Sequence, residues 1–259
     1  MARAQTEASI TLALLHLAPR PGDLAYNRHE IERAVTRAAA AGARFIVSPE
    51  LAFSGYGFRD VIGTGWIAAG QTERLAWAAA LARQASVVLA LGMPEAAPDG
   101  RLFNSLMVFG ADGSVLGRHR KINVIPGGSE SWSAPGENPT SLAIEGVGRI
   151  GLFVCADMYS QRLVRETAAP DVDLLVSCAA WAPGEYGPSG EWEWASLATG
   201  RPVVVCNRCG IDVLDFRAAR SVAASNGSIV HAHQSADPAL ILVDWQARMR
   251  ALTNWRIVP

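Results

Sequence analysis

The chain has 259 residues, of which 50% are hydrophobic, and its formal net charge is −1. This length can supply the core of one large α/β domain or of two small ones. The near-zero charge gives no reason to expect nucleic acid or an anionic membrane as a partner, and no apolar stretch approaches the length of a membrane span. Four cysteines in a chain of this length do not indicate a disulfide scaffold, so we expect reduced thiols and a cytoplasmic protein.

The first apolar run, at residues 9–17, follows Arg3 and resembles the core of a signal peptide. However, Glu7 lies where such a peptide carries positive charge, and the run continues directly into a helix–strand unit. We therefore predict that this run is the first strand and that residues 1–8 before it are flexible.

After this strand, the first half of the chain alternates helices and strands. Asn27 is expected to cap the next helix, with Glu30 as its capping-box partner, and Gly42 is expected to end it. Further elements are predicted in chain order: a strand at 45–49, a helix at 72–85 with Leu75, Ala79 and Ala82 on its apolar stripe, a strand at 87–93, and a hairpin of strands 102–109 and 114–120.

The second half repeats this order. The pattern predicts strands at 150–154, 173–178 and 202–206 separated by helices at 161–168 and 191–199, and then strands at 221–224, 228–233 and 240–245, the last of the chain. Alternating strands and helices are typical of a layered α/β architecture. Two such halves predict two sheets packed face to face with helices outside, and since no linker separates the halves we predict a single domain over residues 1–259.

Three chemically active side chains stand at the ends of predicted strands: Glu50, Lys121 and Cys155. They supply a base, a cation and a thiol, which amide hydrolysis through a covalent intermediate requires. Lys121 and the backbone N–H of Ala156 are the expected partners of the developing oxyanion. We expect the lysine to lower the pKa of the Cys155 thiol. The apolar neighbours of Glu50 are expected to raise the pKa of its carboxyl.

These residues lie in three boxes: Ser48-Pro49-Glu50-Leu51-Ala52-Phe53-Ser54-Gly55-Tyr56, Arg118-His119-Arg120-Lys121 and Val154-Cys155-Ala156-Asp157. In this order they resemble the signature boxes of the nitrilase superfamily of carbon–nitrogen hydrolases, in its amidase-type branch. Weaker similarities, such as Asn104-Ser105 before the lysine box, extend the resemblance over about residues 10–245.

The resemblance implies a four-layer αββα sandwich of two mixed β-sheets with outer helices. It also implies a catalytic triad of Glu50, Lys121 and Cys155, a thioester intermediate, and no metal or organic cofactor. Glu130 matches a second glutamate that often orients the lysine in this family. A homodimer or higher homo-oligomer is implied as well.

The predicted activity is hydrolysis of a non-peptide C–N bond in a small amide or an N-carbamoyl amine. Asp157, after Cys-Ala, favours an amidase over a true nitrilase. Nitrile hydrolysis and acyl transfer from the same thioester to an amine remain open. A protein of another class, a degenerate member that only binds a ligand, is also open, although the complete triad argues against it because binding alone needs none of its groups.

Substrate contacts are expected from Tyr56 and from the loop at 181–188, which directly follows a strand end. In that loop Trp181, Glu185 and Tyr186 are the candidates, although core packing explains Trp181 equally well.

A cationic amine could be attracted by Glu185, Glu191 and Glu193, although a solvated acidic helix start explains the last two equally well. Elsewhere, Cys206 and Cys209 form a single CxxC, which lacks the second ligand pair of a zinc site. We therefore predict no metal site.

Overall fold

The computed structural model describes residues 9–258, so the predicted flexibility of residues 1–8 lies outside the described residues. The described chain folds into two β-sheets flanked by helices. The strands are β1 (Ile10–His16), β2 (Ala43–Val47), β3 (Val88–Ala96), β4 (Leu102–Phe109), β5 (Val115–Arg120), β6 (Thr140–Ile144), β7 (Gly148–Val154), β8 (Leu174–Ala179), β9 (Val203–Asn207), β10 (Arg220–Ser225), β11 (Ser228–Gln234), β12 (Ala239–Gln246) and β13 (Ala251–Val258). The helices are α1 (Leu24–Ala40), α2 (Phe58–Ile62), α3 (Trp66–Ala69), α4 (Gln71–Ala85), α5 (Gln161–Thr167) and α6 (Glu191–Thr199), with a 3-10 helix at Cys155–Tyr159.

Both sheets are mixed. The first has seven strands in the order β13-β12-β1-β2-β3-β4-β5, and the second has six in the order β11-β10-β9-β8-β7-β6. Each has three parallel strands at its centre, β1-β2-β3 in the first and β7-β8-β9 in the second, and antiparallel strands on either side. The carboxyl ends of β2, β7 and β8 therefore deliver their following residues to one region of the molecule.

The alternation of side chains along β1 shows how the layers are joined. Leu12 and Leu14 belong to the core between the two sheets, whereas Ala13 and Leu15 belong to the core shared with α1 and α4. On the other side of the molecule, α5 and α6 pack against each other and α6 lies on β9 and β10. The predicted αββα sandwich of two mixed sheets is confirmed. The single domain over the whole chain remains a prediction.

The start of α1 differs from the prediction. Asp23 caps this helix, accepting a hydrogen bond from the Tyr26 N–H at 3.1 Å. Asn27, predicted as the cap, is buried in the first turn, where it bonds the backbone N–H and carbonyl of Arg20 at 2.7 and 2.8 Å and donates to the Phe53 carbonyl at 3.2 Å. Its role is to hold the helix against the segment that follows Glu50.

The buried stripe of α4 is also displaced from the predicted one. Trp77 and Leu81 are buried, whereas Leu75 and Ala79 are only partly buried, and Ala82 is common to both stripes. The indole of Trp77 decides the rotation of the helix, because it packs on the Phe53 ring at 5.3 Å and donates to Glu32 at 2.6 Å.

Five elements were not predicted: β6, β13, α2, α3 and the 3-10 helix. The prediction that β12 is the last strand is wrong, since β13 pairs with it in antiparallel register. As β13 has a neighbour on one side only, most of its side chains stay partly exposed, and its sequence lacks the apolar alternation of a central strand. Among the helices in residues 9–258, none has the length and apolar character needed to cross a bilayer.

Candidate active site

The three candidate catalytic residues follow three different strands. Glu50 comes after β2, Lys121 after β5 and Cys155 after β7. Glu50 and Lys121 are completely buried, and Cys155 is 4% exposed. The side chains meet where the strand ends of the two sheets face each other, so the structure brings together the groups that the sequence boxes singled out.

Lys121 lies between two carboxylates. Its Nζ donates to Oε1 of Glu50 at 2.8 Å and to Oε1 of Glu130. The Asn104 Nδ2 bridges the same two atoms, at 2.7 Å to Glu50 and 3.2 Å to Glu130. The remaining oxygen of Glu50 accepts the backbone N–H of Ala180 at 2.8 Å. Each charged side chain of this cluster therefore has hydrogen-bond partners, as a buried charged group requires.

One cation shared by two carboxyl groups separates their pKa values. Burial acts to raise the pKa of Glu50, but the Lys121 charge and hydrogen bonds from Glu130, Lys121 and the Ala180 N–H lower it overall. Burial and the charge of Glu50 together raise the pKa of Glu130 to about 8 despite Lys121. The expected rise in the pKa of Glu50 is therefore wrong: near neutral pH the cluster holds an ionised Glu50 and a protonated Glu130.

The same cluster sets the state of the lysine. Burial acts against its charged form, yet Glu50 and then Glu130 raise the pKa of Lys121 well above its ordinary value. Lys121 is thus a permanent cation in this site.

Cys155 stands at a sharp turn between β7 and the 3-10 helix. Its backbone has φ 48°, a left-handed conformation that costs energy for a residue with a Cβ. Burial, followed by the charge of Glu50, raises the pKa of the Cys155 thiol well above its ordinary value, and Lys121 opposes this only in part. The expected lowering of the thiol pKa by Lys121 is present, but burial and the charge of Glu50 outweigh it, so the sulfur is protonated and needs a base.

Asp157 joins the turn of Cys155 to the segment that carries Lys121. One of its oxygens accepts the backbone N–H groups of Ile122 and Asn123 at 2.9 and 2.8 Å. The other accepts the Val154 N–H at 2.9 Å and lies 2.9 Å from the His119 Nε2. The carboxylate is completely buried, so it positions the two segments that carry the candidate residues Lys121 and Cys155 and does not touch a substrate.

A cavity of about 820 Å³ opens on Cys155 and Ala156. The predicted contact residues all line it: Tyr56, Trp181, Glu185 and Tyr186. Trp181 and Tyr56 are buried, whereas Glu185 and Tyr186 are exposed at the outer part. Lys121 and Glu130 lie behind this surface and are not among its lining residues.

Asn104 and Ala180 are contacts that sequence reasoning did not assign. For Asn104 a signal existed in the hairpin of β4 and β5. Its register pairs Ser105 with Arg120, so the next position places Asn104 beside Lys121, whose N–H donates to the Asn104 carbonyl at 2.8 Å. Ala180 contributes only a backbone N–H, which no residue type reveals.

Comparison with known proteins agrees with this geometry. The family model described as carbon–nitrogen hydrolase matches residues 11–254. The chain belongs to the carbon–nitrogen hydrolase family. The prediction of a nitrilase-superfamily enzyme of the amidase branch, drawn from the three boxes, is confirmed.

Individual relatives of this carbon–nitrogen hydrolase include two enzymes of Arabidopsis thaliana. A chloroplastic omega-amidase is 31% identical over 191 residues, which are 68% of this chain and 49% of the relative. An N-carbamoylputrescine amidase is 24% identical over 251 residues, 88% of this chain and 83% of the relative.

A solved structure is similar as well. It is a glutamate-to-glutamine mutant of the amidase from Nesterenkonia sp. AN1, and it shows the result of Michael addition of acrylamide at the active-site cysteine of that enzyme. The identity is 26% and the TM-score 0.82, over 92% of this chain and 94% of the other.

Alkylation should distinguish the four cysteines of this hydrolase. Cys155 lines the cavity, whereas Cys178, Cys206 and Cys209 are completely buried in the core. We expect iodoacetamide to modify Cys155 at least about tenfold faster than the others, and the rate to rise with pH because burial keeps the thiol protonated near neutrality. Peptide mapping by mass spectrometry measures the four rates. Equal rates would show that the cavity does not admit reagents to Cys155.

The raised pKa of Glu130 makes stability depend on pH. Its folded-state pKa is about 8 against an ordinary value of 4.5, so the folded protein favours the protonated form. This contribution to stability is complete below about pH 4.5 and is lost as the pH rises through about 8. In Glu130→Gln the side chain is permanently neutral. Urea titration measures the free energy of unfolding of both proteins. The difference, natural protein minus Glu130→Gln, is expected to decrease as the pH rises from about 4.5 to about 8. A difference that is constant with pH would contradict a protonated Glu130.

Proposed function

We propose that this protein hydrolyses the C–N bond of a small amide or N-carbamoyl amine through a thioester on Cys155. The observation that carries the proposal is the cavity opening on Cys155, directly in front of the buried ion pair of Lys121 and Glu50 at 2.8 Å. A protonated thiol beside an ionised carboxylate and a fixed cation has the base, nucleophile and electrophilic partner needed for acyl transfer.

In the first step Glu50 accepts the proton of the Cys155 thiol while the sulfur bonds to the substrate carbonyl carbon. The lowered pKa of Glu50 and the raised pKa of the thiol keep both in the required starting state. The electron pair of the carbonyl π bond moves to oxygen, which becomes the oxyanion. Proton transfer and attack therefore proceed together, and no standing thiolate is needed.

The oxyanion is stabilised by Lys121 and by the backbone N–H of Ala156. Lys121 is already held by Glu50 and Glu130, so it needs no reorganisation as the charge develops. Ala156 lies in the first turn of the 3-10 helix, where backbone N–H groups have no partner within the helix. A hydrogen-bond donor whose position is fixed before the reaction stabilises the oxyanion more than one that must first reorient.

Glu50 then returns the proton to the departing nitrogen, the C–N bond breaks, and ammonia or an amine leaves. A water molecule enters and gives a proton to Glu50 as its oxygen attacks the thioester. The C–S bond breaks and the proton passes to the sulfur, which restores the thiol and releases the acid. Glu130 supports this cycle by orienting Lys121.

The substrate would lie between Tyr56 and the loop that begins at Trp181. The Asn207 side chain holds the backbone of Trp181. It accepts a hydrogen bond from the Trp181 N–H and donates one to the Trp181 carbonyl, at 3.0 Å each. Glu185 and Tyr186 line the outer part of the cavity. We assign these four lining residues, Tyr56, Trp181, Glu185 and Tyr186, to substrate binding.

We also propose that the protein is cytoplasmic and assembles as a homodimer or a higher homo-oligomer. The free state of all four cysteines supports a reducing compartment. Leu197 on α6 and Met249 after β12 are large apolar side chains left exposed, which supports association through such surfaces. Light scattering after size-exclusion chromatography measures the assembly, and a monomer at all concentrations would refute it.

The function is tested by supplying separate amides, N-carbamoyl amines and nitriles and measuring released ammonia and product mass. Rapid acid quenching followed by peptide mass analysis should find an acyl group on Cys155 during turnover. Preference for nitriles, or acyl product formed only with an added amine, would replace amide hydrolysis by those reactions. Binding without any turnover would mean that the chain serves only as a ligand-binding protein.

A further inference from the structure

The outer part of the cavity has an unbalanced charge. Two of its lining residues, Glu185 and Glu191, are carboxylates, and no lysine or arginine among residues 9–258 lines it. Both glutamates are at least partly exposed. Glu193, on the same turn of α6, is not a lining residue. The structure thus places Glu185 and Glu191 in the cavity wall and Glu193 outside it.

Aromatic rings accompany these carboxylates. Tyr159 and Tyr186 line the same cavity and are exposed. The Tyr186 carbonyl accepts hydrogen bonds from the Tyr159 hydroxyl and, at 2.9 Å, from the Trp181 Nε1. This carbonyl fixes the loop that carries Glu185 against the cavity wall.

Glu191 acts on the same wall. Its carboxylate accepts the Ser189 N–H, which holds it at the start of α6. Burial, then the charges of Glu191 and Cys155, raise the pKa of Tyr159 against a hydrogen bond from Trp181. The charge of Glu191 therefore acts on a ring that lines the same cavity as Cys155.

Tyr56 supplies a separate observation at the reactive end. It is 7% exposed and lines the cavity, and its hydroxyl has no hydrogen-bond partner within residues 9–258. Burial and the nearby Glu130 and Glu50 raise the pKa of Tyr56, so it stays a neutral donor. Its hydroxyl can therefore donate to an acceptor on a ligand in the cavity. This end of the cavity therefore favours a polar acceptor in the substrate.

From these features we infer that the substrate is two-ended, with a carbamoyl or amide group at Cys155 and Tyr56 and an ammonium group held by Glu185 and Glu191. This inference rests on the proposed function. Carboxylates and the faces of tyrosine rings both attract a cation. The same carboxylates repel an amide that carries a terminal carboxylate, so the cavity selects by charge as well as by size.

The test compares three N-carbamoyl alkylamines of equal chain length that end in an ammonium, a methyl or a carboxylate group. For the natural protein we expect kcat/KM to be about 10- to 100-fold higher for the ammonium compound than for the methyl compound, and lowest for the carboxylate. Raising the ionic strength should raise KM for the ammonium compound and leave the methyl compound unchanged.

Substitutions then locate the effect. The double variant Glu185→Gln with Glu191→Gln should lose at least about tenfold of the ammonium preference, mainly through a higher KM for the ammonium compound. Glu193→Gln is the matched control, since it removes the same charge from the same helix outside the cavity, and it should change the preference less than about twofold.

The outcomes separate the two proposals. Hydrolysis of the methyl compound without an ammonium preference would overturn the cationic substrate and leave amide hydrolysis intact. A preference that survives in the double variant would overturn the recognition of the ammonium group by Glu185 and Glu191. An equal loss of the ammonium preference in Glu193→Gln would also overturn this recognition. The preference would then come from the overall negative charge of the region and not from the carboxylates that line the cavity. If none of the three compounds is hydrolysed while simple amides are, the cationic inference fails alone. No hydrolysis of any amide would overturn the proposed function and this inference with it.

Discussion

Replacing Cys155 by alanine is expected to abolish hydrolysis, with kcat reduced at least about 10⁴-fold, because Cys155 is the only thiol among the described residues that line the cavity. The other three cysteines are buried in the core and do not line the cavity. Alanine keeps a Cβ at the left-handed φ of 48°, so the backbone strain is unchanged and the fold should persist. Released ammonia and far-ultraviolet circular dichroism measure the two properties.

The matched control for this substitution is Cys178→Ala. Cys178 lies on β8 directly opposite Val154, the residue before Cys155, and is completely buried. It behaves as a small core residue, so its loss should cost about 1 kcal/mol of stability and leave kcat nearly unchanged. If Cys155→Ala retains the activity and Cys178→Ala loses it, the nucleophile has been assigned to the wrong strand.

The second large effect is expected for Lys121→Met, which removes the cation at nearly constant volume. Loss of one preorganised partner of the oxyanion should lower kcat about 10²- to 10³-fold. The variant also leaves Glu50 and Glu130 buried without their common partner, and removing one member of a buried ion pair costs about 3–5 kcal/mol near neutral pH.

The pH dependence of Lys121→Met has a definite sign. Lys121 lowers the pKa of Glu50 in the natural protein, so in its absence burial raises that pKa above the unfolded value. A carboxyl whose folded pKa is raised contributes stability at low pH and loses it as the pH rises. The deficit of the variant in urea unfolding should therefore be smaller near pH 5 than near pH 8.

Arg118→Met provides the control, since Arg118 is 51% exposed and pairs with Glu95 outside the cluster. It should leave both kcat and the pH dependence of stability almost unchanged. Near-normal turnover in Lys121→Met would remove this lysine from the mechanism, whatever the stability of the variant.

Much of the fold was predictable because it is encoded locally. The central strands are short apolar runs bounded by polar residues, and their positions followed from that pattern within a few residues. The edge strand β13 was missed because one-sided pairing imposes no apolar alternation. The cap of α1 was misassigned because Asp23 and Asn27 are both good capping residues, and only the packing of α1 on the segment after Glu50 shows that Asn27 is needed inside.

The candidate site, like the fold, was predictable only in part. Residue type and position at a strand end were enough to select Glu50, Lys121 and Cys155 as candidates, whereas Asn104 is placed beside Lys121 by the β4–β5 register that the structure shows. The direction of the pKa shift at Glu50 was predicted wrongly, and at Cys155 the predicted lowering by Lys121 is outweighed by burial and by Glu50. They depend on how one ammonium group is divided between two carboxyl groups and on the depth of burial, and both are properties of the assembled site.

The sequence by itself therefore determined the family, the order of layers and the candidate catalytic residues, because strand periodicity and the three boxes are properties of contiguous residues. The tertiary structure alone decided which carboxyl is ionised and which of Glu185, Glu191 and Glu193 faces the cavity. These features arise where segments far apart in the chain meet, as when the Ala180 N–H binds Glu50 across 130 positions. Electrostatic interactions act through space, and their sign at a buried site is set by neighbours that no local pattern encodes.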